Sequence, residues 1–188
     1  TVESDGDASD VITVTAAVSA ANTVILADGA NSFTLAGDSR VTIGVDDADA
    51  DGDLADEASA TVTLGAGNEI VTGSDGQDTI QTTADAGSTE TVSLGAGTDT
   101  VNDANNIVAT ATFDGGAGTD TLQYDSSVDV AASGLALTTG FDRILLADNA
   151  ANDGTAVELT DAVVGGSDAD TITVESDGDA SDVITVTA

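Results

Sequence analysis

The sequence predicts an all-β solenoid with essentially no α-helix, and three observations carry that prediction. Short segments that join a glycine-aspartate turn to a β-branched strand recur along the chain, most plainly at residues 73–81 (GSDGQDTIQ), 94–102 (LGAGTDTVN) and 115–123 (GGAGTDTLQ). Hydrophobic residues make up 40% of the 188, yet there are only three Phe and one Tyr, and no Trp, Met or Pro. That inventory suits thin stacked layers of Val, Ile, Leu and Ala better than a wide globular core. Residues 1–16 (TVESDGDASDVITVTA) also recur without change as residues 173–188, so the chain reads as a 172-residue tandem unit plus a 16-residue overlap. It starts with Thr1 and is expected to be one continuous segment, 1–188, of a longer array.

In chain order, residues 11–15, 24–26, 33–35 and 41–45 are rich in apolar and β-branched side chains and read as short strands, with centres about every nine residues. Turn clusters such as Asp28-Gly29-Ala30-Asn31 and Gly37-Asp38-Ser39 separate them. No stretch keeps a helical period over three turns. Residues 46–57 (DDADADGDLADE) interrupt this rhythm. There Asp47, Asp49, Asp51, Gly52 and Asp53 follow the start of an EF-hand-type calcium loop, in which alternating carboxylates converge around a sharp glycine turn. The twelfth position is Ala58 where a bidentate Glu is expected, and Asp56 and Glu57 just before it are the candidate substitutes.

Residues 64–123 carry the densest repeats. Two adjacent nonapeptides, 64–72 (LGAGNEIVT) and 73–81, are followed by copies at 94 and 115, each preceded by a twelve-residue stretch without the glycine pattern. A period of nine plus twelve residues places Asp78, Asp99 and Asp120 on one edge of a stack, with TTADAGSTETVS and DANNIVATATFD as the return path. Further on, Asp142 follows Asp120 by 22 residues, beside Arg143. Residues 165–173 (GGSDADTIT) restore the motif with Asp168 and Asp170, and weaker variants at 6–12 and 178–184 carry Asp10 and Asp182.

GGAGTDTLQ matches, at every defined position, the glycine-glycine-any-glycine-any-aspartate-any-apolar-any nonapeptide, and on these residues the chain resembles the RTX (repeats-in-toxin) calcium-binding repeats. The resemblance implies a right-handed parallel β-roll or β-helix whose turns hold several Ca2+ ions. The candidate ligands are then Asp75, Asp78, Asp99, Asp120, Asp168, Asp170, Asp10, Asp182 and Glu69, which stands where the family has Asp. Main-chain oxygens would come from the turns containing Gly65, Gly67, Gly73, Gly76, Gly95, Gly97, Gly115, Gly116, Gly118, Gly165 and Gly166. It also implies a repeat of a giant bacterial surface protein, such as an adhesin, surface-layer or extracellular filament protein, secreted to where calcium is plentiful.

The charge balance fits that reading. Thirty-five acidic residues face Arg40 and Arg143, with no Lys or His, for a formal charge of −33. Such a chain repels nucleic acid and anionic membranes. Only six of the acids are Glu, and short Asp is the turn-compatible calcium ligand. Acidic disorder would predict few strand formers, whereas Val, Ile and Thr abound. Without metal, the stacked carboxylates repel one another, so folding is expected to be coupled to calcium. The alternative role for each Asp is to cap its turn by accepting main-chain N–H groups. No apolar run is long enough to span a bilayer. Cysteine is absent, which excludes disulfides and thiolate metal sites.

Catalysis is not expected, since His, Cys and Lys are missing and four aromatic residues offer little platform for a sugar. Threonines at 61–63, 91–93 and 110–112 suggest a carbohydrate- or ice-binding rank, but their uneven spacing favours simple β-propensity. The expected partners are further copies of the chain, end to end, as tandem repeats or as separate subunits of a filament. About eight rungs at ~4.8 Å would give each unit roughly 40 Å of length.

Overall fold

In the computed structural model the described residues are 2–3, 11–13, 21–25, 30–34, 40–44, 59–65, 67–83, 89–102, 110–124, 137–146, 156–160, 173–176 and 183–187. Among them the structure is all-β, without helix, and every strand pairing is parallel. Two sheets hold most of the strands. Sheet A contains, in spatial order, β1 (Val2–Glu3), β3 (Ala21–Ile25), β5 (Arg40–Gly44), β7 (Ile70–Thr72), β9 (Thr91–Ser93), β12 (Thr112–Asp114) and β15 (Thr138–Thr139). Sheet B contains β2 (Val11–Thr13), β4 (Ala30–Thr34), β6 (Ser59–Thr63), β8 (Thr79–Gln81), β11 (Thr100–Asn102), β14 (Thr121–Tyr124), β16 (Arg143–Leu146) and β18 (Thr173–Ser176). Two short pairs complete the set: β10 (Ala96–Gly97) with β13 (Ala117–Gly118), and β17 (Ala156–Thr160) with β19 (Val183–Thr187).

Leaving β10 and β13 aside, the strands from β1 to β16 change sheet at every step, so each strand meets its neighbour only after the chain has visited the other sheet. Thr79 pairs with Thr100 and Thr100 with Thr121, while Ile70 pairs with Thr91 and Thr91 with Thr112. Each step is the nine-plus-twelve period, which therefore registers like residues on like. In parallel strands every second side chain points inward. Sheet B accordingly aligns Val62, Ile80, Val101, Leu122 and Ile144 in one fully buried column. Sheet A supplies a second column of Val71, Val92, Phe113 and Thr138. The core is thus made mostly of stacked aliphatic residues, with Phe113, Tyr124 and Phe141 as its aromatic members.

Local sequence also sets where the period lengthens. Arg40 pairs with Ile70, a step of 30 residues, and Ser32 with Thr61, a step of 29. The segment between Gly44 and Ser59 carries the Asp-rich run, and it links sheet A to sheet B. Two strands extend beyond their expected limits. β3 and β4 begin at Ala21 and Ala30, three residues before the expected starts at 24 and 33. Ala and Asn are weak strand formers, and pairing with β5 and β6 extends the ladders over them.

Candidate metal centre

Every turn from sheet A to sheet B in the regular section ends on an aspartate: Asp78 before β8, Asp99 before β11 and Asp120 before β14. The period of two dictates their direction. Because Ile80, Val101 and Leu122 point inward, the residue two positions earlier does so as well. Asp78, Asp99 and Asp120 are buried, with at most 1% exposure. The half-buried Asp142 occupies the corresponding place before β16.

Their carboxylates form a ladder along the stack. The Asp78 amide donates to Asp99 Oδ1 at 2.7 Å, the Asp99 amide to Asp120 Oδ1 at 2.8 Å, and the Asp120 amide to Asp142 Oδ2 at 3.1 Å. At the head of the ladder, Asp78 Oδ1 accepts the Ala60 amide at 2.9 Å. Its Oδ2 accepts the Ser74 amide at 2.8 Å and the Ser74 hydroxyl at 3.2 Å. Asp99 is less well served, because its Oδ2 is buried and has no hydrogen-bond partner among the described residues. Burial pushes the Asp99 carboxyl up to about 8, against the pull of the Asp78 amide, and the Asp120 and Asp78 charges add to the rise. Burial also raises Asp78, opposed by the Ser74 and Ala60 amides and the Ser74 hydroxyl.

The glycines make room for this arrangement. A Cβ on Gly118, whose φ is +132°, would lie 1.8 Å from the Gly97 carbonyl oxygen of the previous rung. A Cβ on Gly73 would lie 2.6 Å from Asp78 Oδ2, so that carboxylate occupies the volume a side chain would need. The turns stack as closely as the strands do, and their carbonyls take part. Ser74 O accepts the Ala96 amide at 3.2 Å, Gly95 O the Ala117 amide at 2.8 Å and Gly97 O the Thr119 amide at 3.2 Å. The turn oxygens expected to be free for a cation are therefore already engaged rung to rung, each keeping a second lone pair.

Calcium fits the chemistry of this donor set in two respects. All the donors are hard oxygens, which is what Ca2+ takes, and Asp99 Oδ2 is a buried carboxylate oxygen in want of a partner. No three acidic side chains among the described residues converge into a ready-made cage, so main-chain oxygens would have to complete any coordination shell.

The structure separates the candidate residues by edge. Asp75 is half-buried in the same turn as Asp78, together with Gly73 and Gly76. Gly95 and Gly97, then Gly115, Gly116 and Gly118, line the next two turns of that edge. Gly65, Gly67 and Glu69 instead lie in the turn from sheet B to sheet A, on the opposite edge. Glu69 is fully buried there, and one rung on its place is taken by Glu90, 7% exposed, which the glycine-based pattern missed. The signal was available, since Glu69 and Glu90 stand 21 residues apart and each precedes a sheet A strand. Ser74 was missed as well, for want of any motif assigning it a role. Asp10, Asp47, Asp49, Asp51, Asp53, Asp56, Glu57, Asp168, Asp170, Asp182, Gly165 and Gly166 lie outside the described residues.

The polar face of sheet B is also more regular than the triplets at 61–63, 91–93 and 110–112 suggested. Thr61, Thr79, Thr100 and Thr121 pair in direct succession, the last of them buried, whereas Thr91 belongs to sheet A. No family model, curated protein or solved structure matches this chain.

Proposed function

We propose that the chain is a structural unit of a calcium-stabilised β-solenoid, a right-handed parallel roll of the RTX type, serving as part of a long extracellular fibre, stalk or surface coat. The observation that carries this reading is the in-register row of buried Asp78, Asp99 and Asp120, one per rung on a single edge. Two carboxylates one rung apart, at ~4.8 Å and an effective dielectric of about 20, repel by about 3–4 kcal/mol. That exceeds the 1.5–3 kcal/mol that a hydrogen bond to a charged group typically contributes. Where Asp99 is ionised, neutralisation is what the ladder lacks, and bound calcium in place of the proton supplies the charge for it. Asp78, Asp99 and Asp120 would hold the cations, with turn carbonyls around Gly95, Gly97, Gly116 and Gly118 completing the shell. Extended stacking of the described strands suits a mechanical spacer, and a surface location provides the calcium.

Circular dichroism during calcium titration and chelation tests the reading. The strand signal should grow with calcium and weaken on chelation, and a signal unchanged after thorough chelation would sink it. A second reading, a polar face that binds ice or carbohydrate, draws on Thr61, Thr79 and Thr100, the part of the threonine row that precedes the buried Thr121. Retention on ice or on insoluble polysaccharide, lost when Thr79 and Thr100 become Val, would favour it.

A further inference from the structure

The duplicated sixteen residues occupy opposite sheets at the two ends. Residues 1–4 and 173–176 are both TVES, yet β1 is the terminal strand of sheet A and β18 the terminal strand of sheet B. Their pairings are complementary. In the first copy Val2 pairs with Val24 and Glu3 with Ile25, on the side of the following rung. In the second copy the equivalent Val174 pairs with Ile144 and Glu175 with Leu145, on the side of the preceding rung. The second strand of the duplicate behaves in the same way. Ile12 pairs with the later Phe33, and its equivalent Ile184 with the earlier Val157. Each copy thus fills the edge that the other leaves open among the described strands, and superposing the copies gives each strand both neighbours.

We infer that the duplicated segment is a joint at which sheet B of one unit continues as sheet A of the next copy of this sequence, so that successive units are related by a half-turn about the stack. This rests on the tandem solenoid reading. The composite rows run Ile144, Val174 (equivalent to Val2), Val24, and Val157, Ile184 (equivalent to Ile12), Phe33, apolar throughout. The Asp78–Asp99–Asp120 edge then changes side with every unit. The 172-residue sequence repeat becomes a structural repeat of two units, and no polar rank on sheet B continues along one side of the fibre beyond a single unit.

The test is a two-unit chain in calcium buffer, in which residues 173–188 of the first unit serve as residues 1–16 of the second. Cysteine pairs are introduced and treated with a bis-maleimide spanning about 10 Å, two rungs. Leu145→Cys in the first unit with Ile25→Cys in the second should gain the mass of one linker, and Leu145→Cys with Thr34→Cys in the second unit should not. Linking in the Thr34 pair and not in the Ile25 pair overturns the half-turn. Thr72 and Asp114 lie two rungs apart in sheet A through Ser93, so Thr72→Cys with Asp114→Cys within one unit reports the stack itself. If that pair links while both joint pairs fail, the joint is wrong and the solenoid stands. If it also fails, the solenoid reading falls, and the joint with it.

Discussion

Asp99 shows how one side chain serves two purposes that compete. Its Oδ1 accepts the Asp78 amide at 2.7 Å, and its buried Oδ2 has no partner in the described structure. Asn in its place keeps an acceptor for that amide and removes the charge, whereas Ala leaves a buried N–H unpaired. In chelator, Asp99→Ala should therefore lose about 1–3 kcal/mol of stability, and Asp99→Asn should lose less or gain. In calcium both variants should be weaker than the parent, as isothermal titration and thermal melts would show. Asp99→Asn matching the parent's calcium affinity would remove Asp99 from the ligand set. The same burial sets a pH dependence. Between the ordinary 3.8 and about 8 the folded chain holds a proton on Asp99 that the unfolded chain releases, so metal-free stability falls as pH rises through that window. Melting in chelator should thus be higher at pH 5 than at pH 8, by roughly 2–4 °C per kcal/mol, and Asp99→Asn should flatten the slope. A metal-free melting temperature that rises with pH across this range would contradict the buried ladder.

At the scale of the elements, close stacking of turns is as demanding as the packing of strands. Gly118→Ala would set a methyl group 1.8 Å from the Gly97 oxygen at a φ of +132°. The strain alone costs about 1–3 kcal/mol, and relieving the clash parts β10 from β13, so a loss of at least about 2 kcal/mol in chemical denaturation is expected. A neutral outcome would mean that the turns do not stack. The regular section was legible in the sequence because its period is constant. Nine plus twelve residues placed Asp78, Asp99 and Asp120 on one edge, and alternation turned Ile80, Val101 and Leu122 inward. What escaped depends on partners rather than on local pattern. Thr61 and Thr91 look alike in sequence and lie in different sheets, so the true row of Thr61, Thr79, Thr100 and Thr121 emerges only from the register. Glu90 sits in a stretch without the glycine pattern, and only its place one rung after Glu69 reveals its burial. The engagement of Ser74, Gly95 and Gly97 carbonyls between turns likewise has no local signal.

For the whole molecule the governing quantity is a formal charge of −33 on 188 residues. Such a chain resists compaction by self-repulsion, and the proposed half-turn at each joint would divide the buried acidic turns between two sides of the stack instead of lining them along one. Any salt reduces that repulsion, since charges farther apart than about 8–10 Å are largely screened at physiological ionic strength. Screening alone does not relieve carboxylates one rung apart in a dry interior. Ca2+ accepts six to eight oxygens in flexible geometry, while Mg2+ demands a tight octahedron and dehydrates reluctantly. Small-angle scattering at matched ionic strength separates general screening from site binding. In chelator the radius of gyration should rise from about 16 Å, the value for a compact chain of this length, toward the roughly 46 Å of an unfolded one, and calcium should restore the lower value. Sodium or magnesium chloride should give only partial contraction. Equal compaction by magnesium would show that charge reduction suffices and that the Asp78, Asp99 and Asp120 ladder does not select calcium.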